Sequence, residues 1–272
     1  MKVYKTYPVE FPKLRGSLDA LKYPAFVEPK YDGELNKAIC YGNAKLSNKS
    51  GKIRYDCPIT NDIQWIVGSD FYQLLGELYF PPGHRGDLYN LLKNQNSDEL
   101  HFVVFDIISL STKEKSITIC KEPLIKRKEI LLEMFRNKQS ANVELISVDF
   151  CNNKKEVMES YEKWIARGFE GAVAKSINSR YSSDYVNWVK LKKKDRSNFV
   201  VTKVDPTLER IEITVGGTKK VGVKCLEKYK KNIKVGDIVE IEYQGILSTG
   251  GLRHPVLIST GKGVLLGKKE EE

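Results

Sequence analysis

Histidine and cysteine are scarce in this chain and badly placed for chemistry. The three histidines, His84, His101 and His254, lie far apart in sequence, which disfavours a histidine-based metal site or proton relay. The five cysteines, Cys40, Cys57, Cys120, Cys151 and Cys225, are odd in number, scattered, and form no Cys-x-x-Cys pair. Neither a disulfide framework nor a zinc site is expected, and reduced structural thiols are the default. Long apolar runs are absent too. The N-terminus Met1-Lys2-Val3-Tyr4 lacks the apolar stretch of a secretory signal and no segment approaches bilayer-spanning length, so a cytoplasmic protein without membrane contact is expected. No sequence repeat is visible, and the charged tail Lys268 to Glu272 is the only low-complexity stretch.

What is present suits a soluble globular protein. A chain of 272 residues with 41% hydrophobic content can bury a real core, in one large domain or two of unequal size. Lys+Arg outnumber Asp+Glu by 45 to 35, a net charge of +10 that favours a polyanionic partner such as nucleic acid. Charge alone fits a basic solvated surface equally well, so the motifs must decide.

Up to about residue 190, short strand-like runs alternate with helical segments without the regular rhythm of a doubly wound sheet, which predicts antiparallel or mixed sheets. Strands are expected at Ala38 to Tyr41, Leu74 to Phe80, Phe102 to Ile108, Val143 to Val148 and Gly171 to Lys175. Helices are expected at Asp87 to Lys93, Lys121 to Phe135 and Lys154 to Ala166. The last carries Val157, Tyr161, Trp164 and Ile165 at core-facing spacing and ends at Gly168. After Lys192-Lys193-Lys194 the texture changes to alternating strands at Phe199 to Val204, Arg210 to Val215, Lys219 to Val223, Asp237 to Tyr243 and Arg253 to Ile258. Five such strands make a small β-barrel of OB-fold size. The expected organisation is therefore α+β, with a first domain over 1–196 and a barrel over 197–272.

Chemistry-bearing residues begin with Val27-Glu28-Pro29-Lys30-Tyr31-Asp32-Gly33, a lysine beside a carboxylate on a strand-turn element. A lysine amine attacks only when unprotonated, and an exposed one is almost wholly charged at neutral pH, so a nucleophilic lysine needs burial or nearby cations. Further along, Trp188-Val189-Lys190-Leu191-Lys192 alternates. On a strand, Lys190 and Lys192 face the same side as Trp188, into one cleft, while Val189 and Leu191 face the core. Glu77 and Glu170 sit at the ends of apolar runs, where a carboxylate is costly unless it binds a hydroxyl, a cation or a metal.

In order along the chain come Lys30-Tyr31-Asp32-Gly33, Ser47-Asn48-Lys49-Ser50-Gly51, Gly76-Glu77-Leu78, Val104-Phe105-Asp106-Ile107-Ile108, Glu170-Gly171-Ala172-Val173-Ala174-Lys175 and Trp188-Val189-Lys190-Leu191-Lys192. This ordered set resembles the covalent nucleotidyltransferases, the superfamily of ATP-dependent DNA ligases, RNA ligases and mRNA capping enzymes, and within it the minimal two-domain DNA ligases. The resemblance spans roughly residues 25 to 195.

The resemblance implies an ATP-grasp-like nucleotidyltransferase domain followed by an OB-fold, with ATP and Mg2+ as cofactors and nicked duplex DNA as partner of a monomeric enzyme. Lys30 becomes the amine that takes AMP, and Asp32 orients it or holds the ribose. Lys190 and Lys192 stabilise the phosphates, with Lys175 and Lys49 as further phosphate contacts. Glu28 lies against the adenine and Phe105 stacks on the purine. Glu77 contacts ribose or metal, and Glu170 a divalent metal. Two departures stand out: Leu35 and Asn48 occupy positions where DNA ligases carry arginine, leaving Lys37 or Lys49 as substitutes. The C-terminal motif is reduced to Leu252-Arg253-His254-Pro255 and a late cation, Lys262. The alternatives are an RNA ligase or RNA-capping guanylyltransferase using the same lysine, and a nucleic-acid-binding module with vestigial motifs.

Overall fold

The computed structural model describes residues 16–260 apart from 55–57, 69, 82–87, 89–90, 92–98, 112–115, 118, 182–186, 206, 208, 226–232 and 248. The chain divides into two compact units, Met1–Leu191 and Lys192–Glu272. The boundary lies a few residues ahead of the position expected near Arg196, because Arg196 is already inside the first barrel strand.

The strands of the first unit are β1 (Ala25–Lys30), β2 (Glu34–Tyr41), β3 (Asn43–Asn48), β4 (Ile53–Arg54), β5 (Phe71–Tyr79), β6 (His101–Ser111), β7 (Ser116–Ile117), β8 (Val143–Leu145), β9 (Asp149–Cys151), β10 (Gly171–Ser176) and β11 (Trp188–Lys192). Its helices include α1 (Pro58–Val67), α2 (Leu124–Phe135) and α3 (Lys154–Ala166). One sheet has the order β11-β10-β1-β9; the other runs β4-β3-β2-β5-β6-β7 with β8 pairing β6 in parallel.

Each sheet covers its own apolar cluster. Ala25 and Val27 of β1, Ala172 and Ala174 of β10 and Val189 of β11 pack against Val157 and Trp164 of α3. That helix starts as expected: the Asn153 side chain accepts from Glu156 N at 3.0 Å and the Glu156 carboxylate accepts from Asn152 N at 2.7 Å, a reciprocal cap. In the second cluster Ala38, Leu46, Leu74, Leu78, Phe102 and Val104 meet Ile59, Ile63 and Ile66 of α1 and Leu131 of α2. A third, smaller cluster of Leu75, Ile108, Tyr181 and Trp188 joins the inner faces of the two sheets.

Several element bounds differ from those read in the sequence. Helix α2 begins at Leu124, not Lys121, because Pro123 holds an extended ψ of 149° and a short 3-10 turn, Ile119–Lys121, precedes it. The run Val143 to Val148 is split, β8 ending at Leu145 before β9 begins at Asp149. The expected helix Asp87 to Lys93 lies mostly outside the described residues. No helix among the described residues is long and apolar enough to cross a membrane.

The second unit is a closed barrel of β12 (Asp195–Val204), β13 (Arg210–Val215), β14 (Lys219–Lys224), β15 (Ile238–Tyr243) and β16 (Val256–Thr260), in the order β12-β13-β14-β16-β15. The last strand starts at Val256, three residues later than expected, because Arg253 is tied by backbone hydrogen bonds to Gln244 and Gly245 in the preceding loop. Alternation along β15 sends Val239 and Ile241 into a core with Val201, Ile211, Ile213, Val223 and Leu257.

Candidate active site

Strand β1 builds the site by alternation. Ala25 and Val27 enter the α3 cluster, so Phe26, Glu28 and Lys30 face the other way, into the cleft between the sheets. Antiparallel register with β10 sets Lys30 opposite Gly171, Glu28 opposite Val173 and Phe26 opposite Lys175. Lys30 Nζ donates to Glu170 Oε2, and the backbone ties the same two residues through Glu170 N to Lys30 O at 3.1 Å. Both side chains are mostly buried, 17% and 11% exposed, so this amine and this carboxylate are held together away from bulk water.

The glycines of the motifs have steric reasons. A Cβ on Gly33 would collide with the carbonyl oxygen of Leu78, so only glycine lets the chain leaving Lys30 pass this close to β5. Gly76 is pinned in the same way beneath the Phe102 ring. Next to Gly76, Glu77 lies opposite Leu35 on β2 and Val103 on β6. It therefore shares a sheet face with Leu75, which packs in the inner cluster with Trp188. Asp32 is half-buried in the bend between β1 and β2.

Deeper in the cleft is a cluster of buried charges. Glu28 is 1% exposed; its Oε2 pairs with Lys175 and its Oε1 lies 2.5 Å from Lys128 Nζ. That contact lacks the angle of a hydrogen bond, and Oε1 has no hydrogen-bond donor among the described residues. Lys175 Nζ sits 4.4 Å from the centroid of the Phe105 ring and 4.0 Å from that of Trp188. Burial pushes its pKa down to about 8, with the Glu28 charge opposing the shift. Beside it, Arg127 binds Asp106 through Nε to Oδ1 at 2.7 Å and Nη2 to Oδ2 at 3.0 Å, both side chains fully buried.

Phe105 owes its orientation to a bulge. Leu75 pairs with Asp106 and the next residue, Gly76, with Val104, so Phe105 has no partner across β5. A bulge re-aims the extra residue. Its carbonyl instead accepts from Lys128 Nζ at 2.8 Å, and its ring meets Trp188 edge-on, with centroids 6.3 Å apart.

The structure thus brings Lys30, Glu170, Glu28, Lys175 and Phe105 into one cleft, with Glu77 on its facing sheet. Lys175, read as a phosphate contact, is instead 2% exposed, its amine enclosed by two aromatic rings and Glu28 at the deep end. Lys190 follows Trp188 on the same side of β11 and is exposed, whereas Lys192, the first residue of the second unit, donates to Gln244 Oε1 at 3.3 Å. Lys49 is exposed on the turn after β3, whereas Asn48 points inward: its Oδ1 accepts from Ser50 N and Lys52 N, and its amide donates to Glu34 Oε1 at 2.8 Å. Asn48 therefore braces a turn where relatives are expected to carry arginine. Lys37 lies opposite Leu75, on the face of Glu77, and its burial lowers its pKa. Lys262 lies outside the described residues.

Two groups were missed in the sequence. Arg127 and Lys128 occupy the i+3 and i+4 positions after Leu124 in the buried stripe with Leu131 and Met134 of α2; charges on an apolar stripe were the available signal. Glu144 on β8 accepts from both Tyr31 at 3.1 Å and Tyr79 at 2.7 Å, bracing the bend beside Lys30. Burial and the Glu144 charge raise both phenol pKa values, so the pair stays protonated.

The residues fit a purine nucleotide. A phosphate at Lys30 leaves the base to reach Glu28, two strand residues or about 7 Å deeper, where a buried carboxylate lies beside the Phe105 ring. Among the described residues no three His, Cys, Asp or Glu side chains could hold a metal by themselves. Glu170 and Glu77 together with substrate phosphates make the oxygen set that suits magnesium, which keeps much of its shell from water and phosphate.

Two sheets enclosing a lysine-glutamate pair, followed by a closed five-stranded barrel, make up the nucleotidyltransferase-plus-OB fold. More narrowly, residues 84–192 match the model of the ATP dependent DNA ligase domain family. A DNA ligase of African swine fever virus (isolate Tick/South Africa/Pretoriuskop Pr4/1996) is 31% identical over 121 residues, which is 42% of this chain and 26% of the viral protein. The matched segment thus spans about a quarter of that relative's length. Among solved structures, a Lig E DNA ligase with a minimal DNA-binding scaffold has a TM-score of 0.70 at 14% identity, covering 93% of this chain and 98% of its own. The ligase domain of M. tuberculosis LigD has a TM-score of 0.57 at 16% identity, with coverages of 95% and 96%. At these identities the likeness is one of fold.

Proposed function

We propose that this chain is an ATP-dependent DNA ligase that seals nicks in duplex DNA, with its nucleotide chemistry in the first unit and added DNA contacts from the barrel. The observation that carries the reading is the Lys30–Glu170 pair, an amine and a carboxylate held at the mouth of a cleft whose deep end suits a purine. Lys30 Nζ forms a bond to the α-phosphorus of ATP as the bond to the pyrophosphate oxygen breaks, and Glu170 Oε2 is placed to take the proton from the amine. The AMP then passes to the 5′-phosphate at a nick, and the 3′-hydroxyl displaces it. Each step is governed by alignment and by fixed charge around developing negative oxygens, which is the work of Lys190 and Lys192. Magnesium, held by Glu170 and Glu77 with the substrate phosphates, would supply further neutralisation of that charge.

The test is sealing of nicked DNA against nicked RNA with ATP and GTP compared. Efficient sealing of DNA with ATP supports the reading. Preference for RNA breaks would point to an RNA ligase, GTP use to a capping-type guanylyltransferase, and binding without covalent AMP to a nucleic-acid-binding module.

A further inference from the structure

Consecutive residues of α2 hold consecutive residues of β6: Arg127 clamps the Asp106 side chain and Lys128 takes the Phe105 carbonyl that the bulge leaves without a partner on β5. The same Lys128 amine lies against Glu28 Oε1 on the opposite sheet. One buried cation therefore ties the aromatic residue on one wall of the cleft to the carboxylate on the other. We propose that Lys128 is the positioning residue for purine selection: it fixes the distance between the Phe105 ring and the Glu28 carboxylate, so that the pocket accepts adenine and rejects guanine. The inference rests on the ligase reading above and names a determinant of its nucleotide specificity.

The chemistry follows from what an anion can recognise. An ionised carboxylate only accepts hydrogen bonds, so it fits the exocyclic amine at C6 of adenine and repels the carbonyl oxygen that guanine presents there. A protonated Glu28 would donate and lose that distinction. A carboxylate buried this deeply is costly without cations beside it. Two are present, Lys175 from β10 and Lys128 from α2, with Asp106 of β6 the acidic group nearby and the Phe105 and Trp188 rings completing the surround. Burial lowers the pKa of Lys175 to about 8. Lys128 also has the Phe105 carbonyl to hold it in place.

The experiment measures ATP and GTP dissociation constants by calorimetry in the full-length Lys30→Ala protein, where no covalent step intervenes. Lys128→Gln on this background should lower the preference for ATP over GTP by at least about tenfold, through weaker ATP binding with GTP changed less than about threefold. Lys128→Arg, which restores the cation, should recover the preference. Equal weakening of both nucleotides, or an unchanged ratio, would show a merely structural lysine and overturn the proposal. Failure of the ligase reading looks different: no covalent AMP and no sealing by the protein carrying Lys30, whatever the nucleotide ratio.

Discussion

The two units bury different kinds of residue. Every buried polar or charged residue among those described, from Glu28 to Ser179, belongs to the first unit, whereas the barrel core of Val201, Ile211, Ile213, Val223, Val239, Ile241 and Leu257 is wholly apolar. The barrel keeps its charges outside. Residues 192–272 hold 17 Lys+Arg against 11 Asp+Glu, a net +6 out of the chain's +10. Buried charge needs a partner for every group and yields fixed electrostatics for reaction; surface charge yields salt-sensitive attraction to phosphates. On the proposed function, the nucleotide chemistry then lies in the first unit apart from Lys192, and contact with the nucleic-acid backbone in the second.

The largest effect is expected where the buried network loses a charge. Arg127→Met removes the cation from the buried Asp106 carboxyl, which should destabilise the first unit by about 3–5 kcal/mol, read as a fall in its urea midpoint. A change of less than about 1 kcal/mol would mean that Asp106 is solvated and that the contrast between the units is overstated. Lys190→Ala should slow single-turnover adenylation by about 100- to 1000-fold with little change in folding. An effect below about threefold would place Lys190 on a merely solvated strand face.

A chain ending at Lys194 keeps the nucleotide cleft and removes the barrel. It should still bind ATP but lose about tenfold or more of its nick sealing, and its remaining DNA affinity should fall less steeply with salt because fewer phosphates are contacted. Sealing at the full-length rate would leave the barrel without a part in the reaction. The smallest effect belongs to the barrel surface. Hydrogen bonds from Lys194 and Arg196 hold the Glu242 carboxyl below the ordinary carboxylate range, but both partners are more than half exposed. Glu242→Gln should therefore cost at most about 1 kcal/mol at neutral pH. Because the folded pKa is depressed, that contribution is present above the unfolded value and is lost as pH falls through the folded one. Wild type and variant should thus converge in acid, read as urea midpoints.

Alternation made much of this legible in the sequence. Val239 and Ile241 against Glu240 and Glu242 marked the barrel strand by local spacing, and the family resemblance carried by the ordered motifs named Lys30, Glu170, Glu28 and Phe105, which the fold brings to one cleft. Helix α1 was missed although Pro58 opens it and Ile59, Ile63 and Ile66 line its buried side; a short apolar segment after Cys57 offered little contrast with its surroundings. The role of Lys128 was out of reach. It depends on a bulge at Phe105, which is a property of the pairing between β5 and β6 and leaves no mark in either strand alone.

The central claim is that Lys30, held against Glu170, is the amine that takes AMP. Mixing the protein with magnesium and ATP labelled at the α-phosphate, then denaturing it and mapping the labelled peptide, tests this most directly. One label per chain is expected, on Lys30, lost in Lys30→Ala; covalent AMP at the wild-type level in that variant, or a label on another lysine, would contradict the assignment.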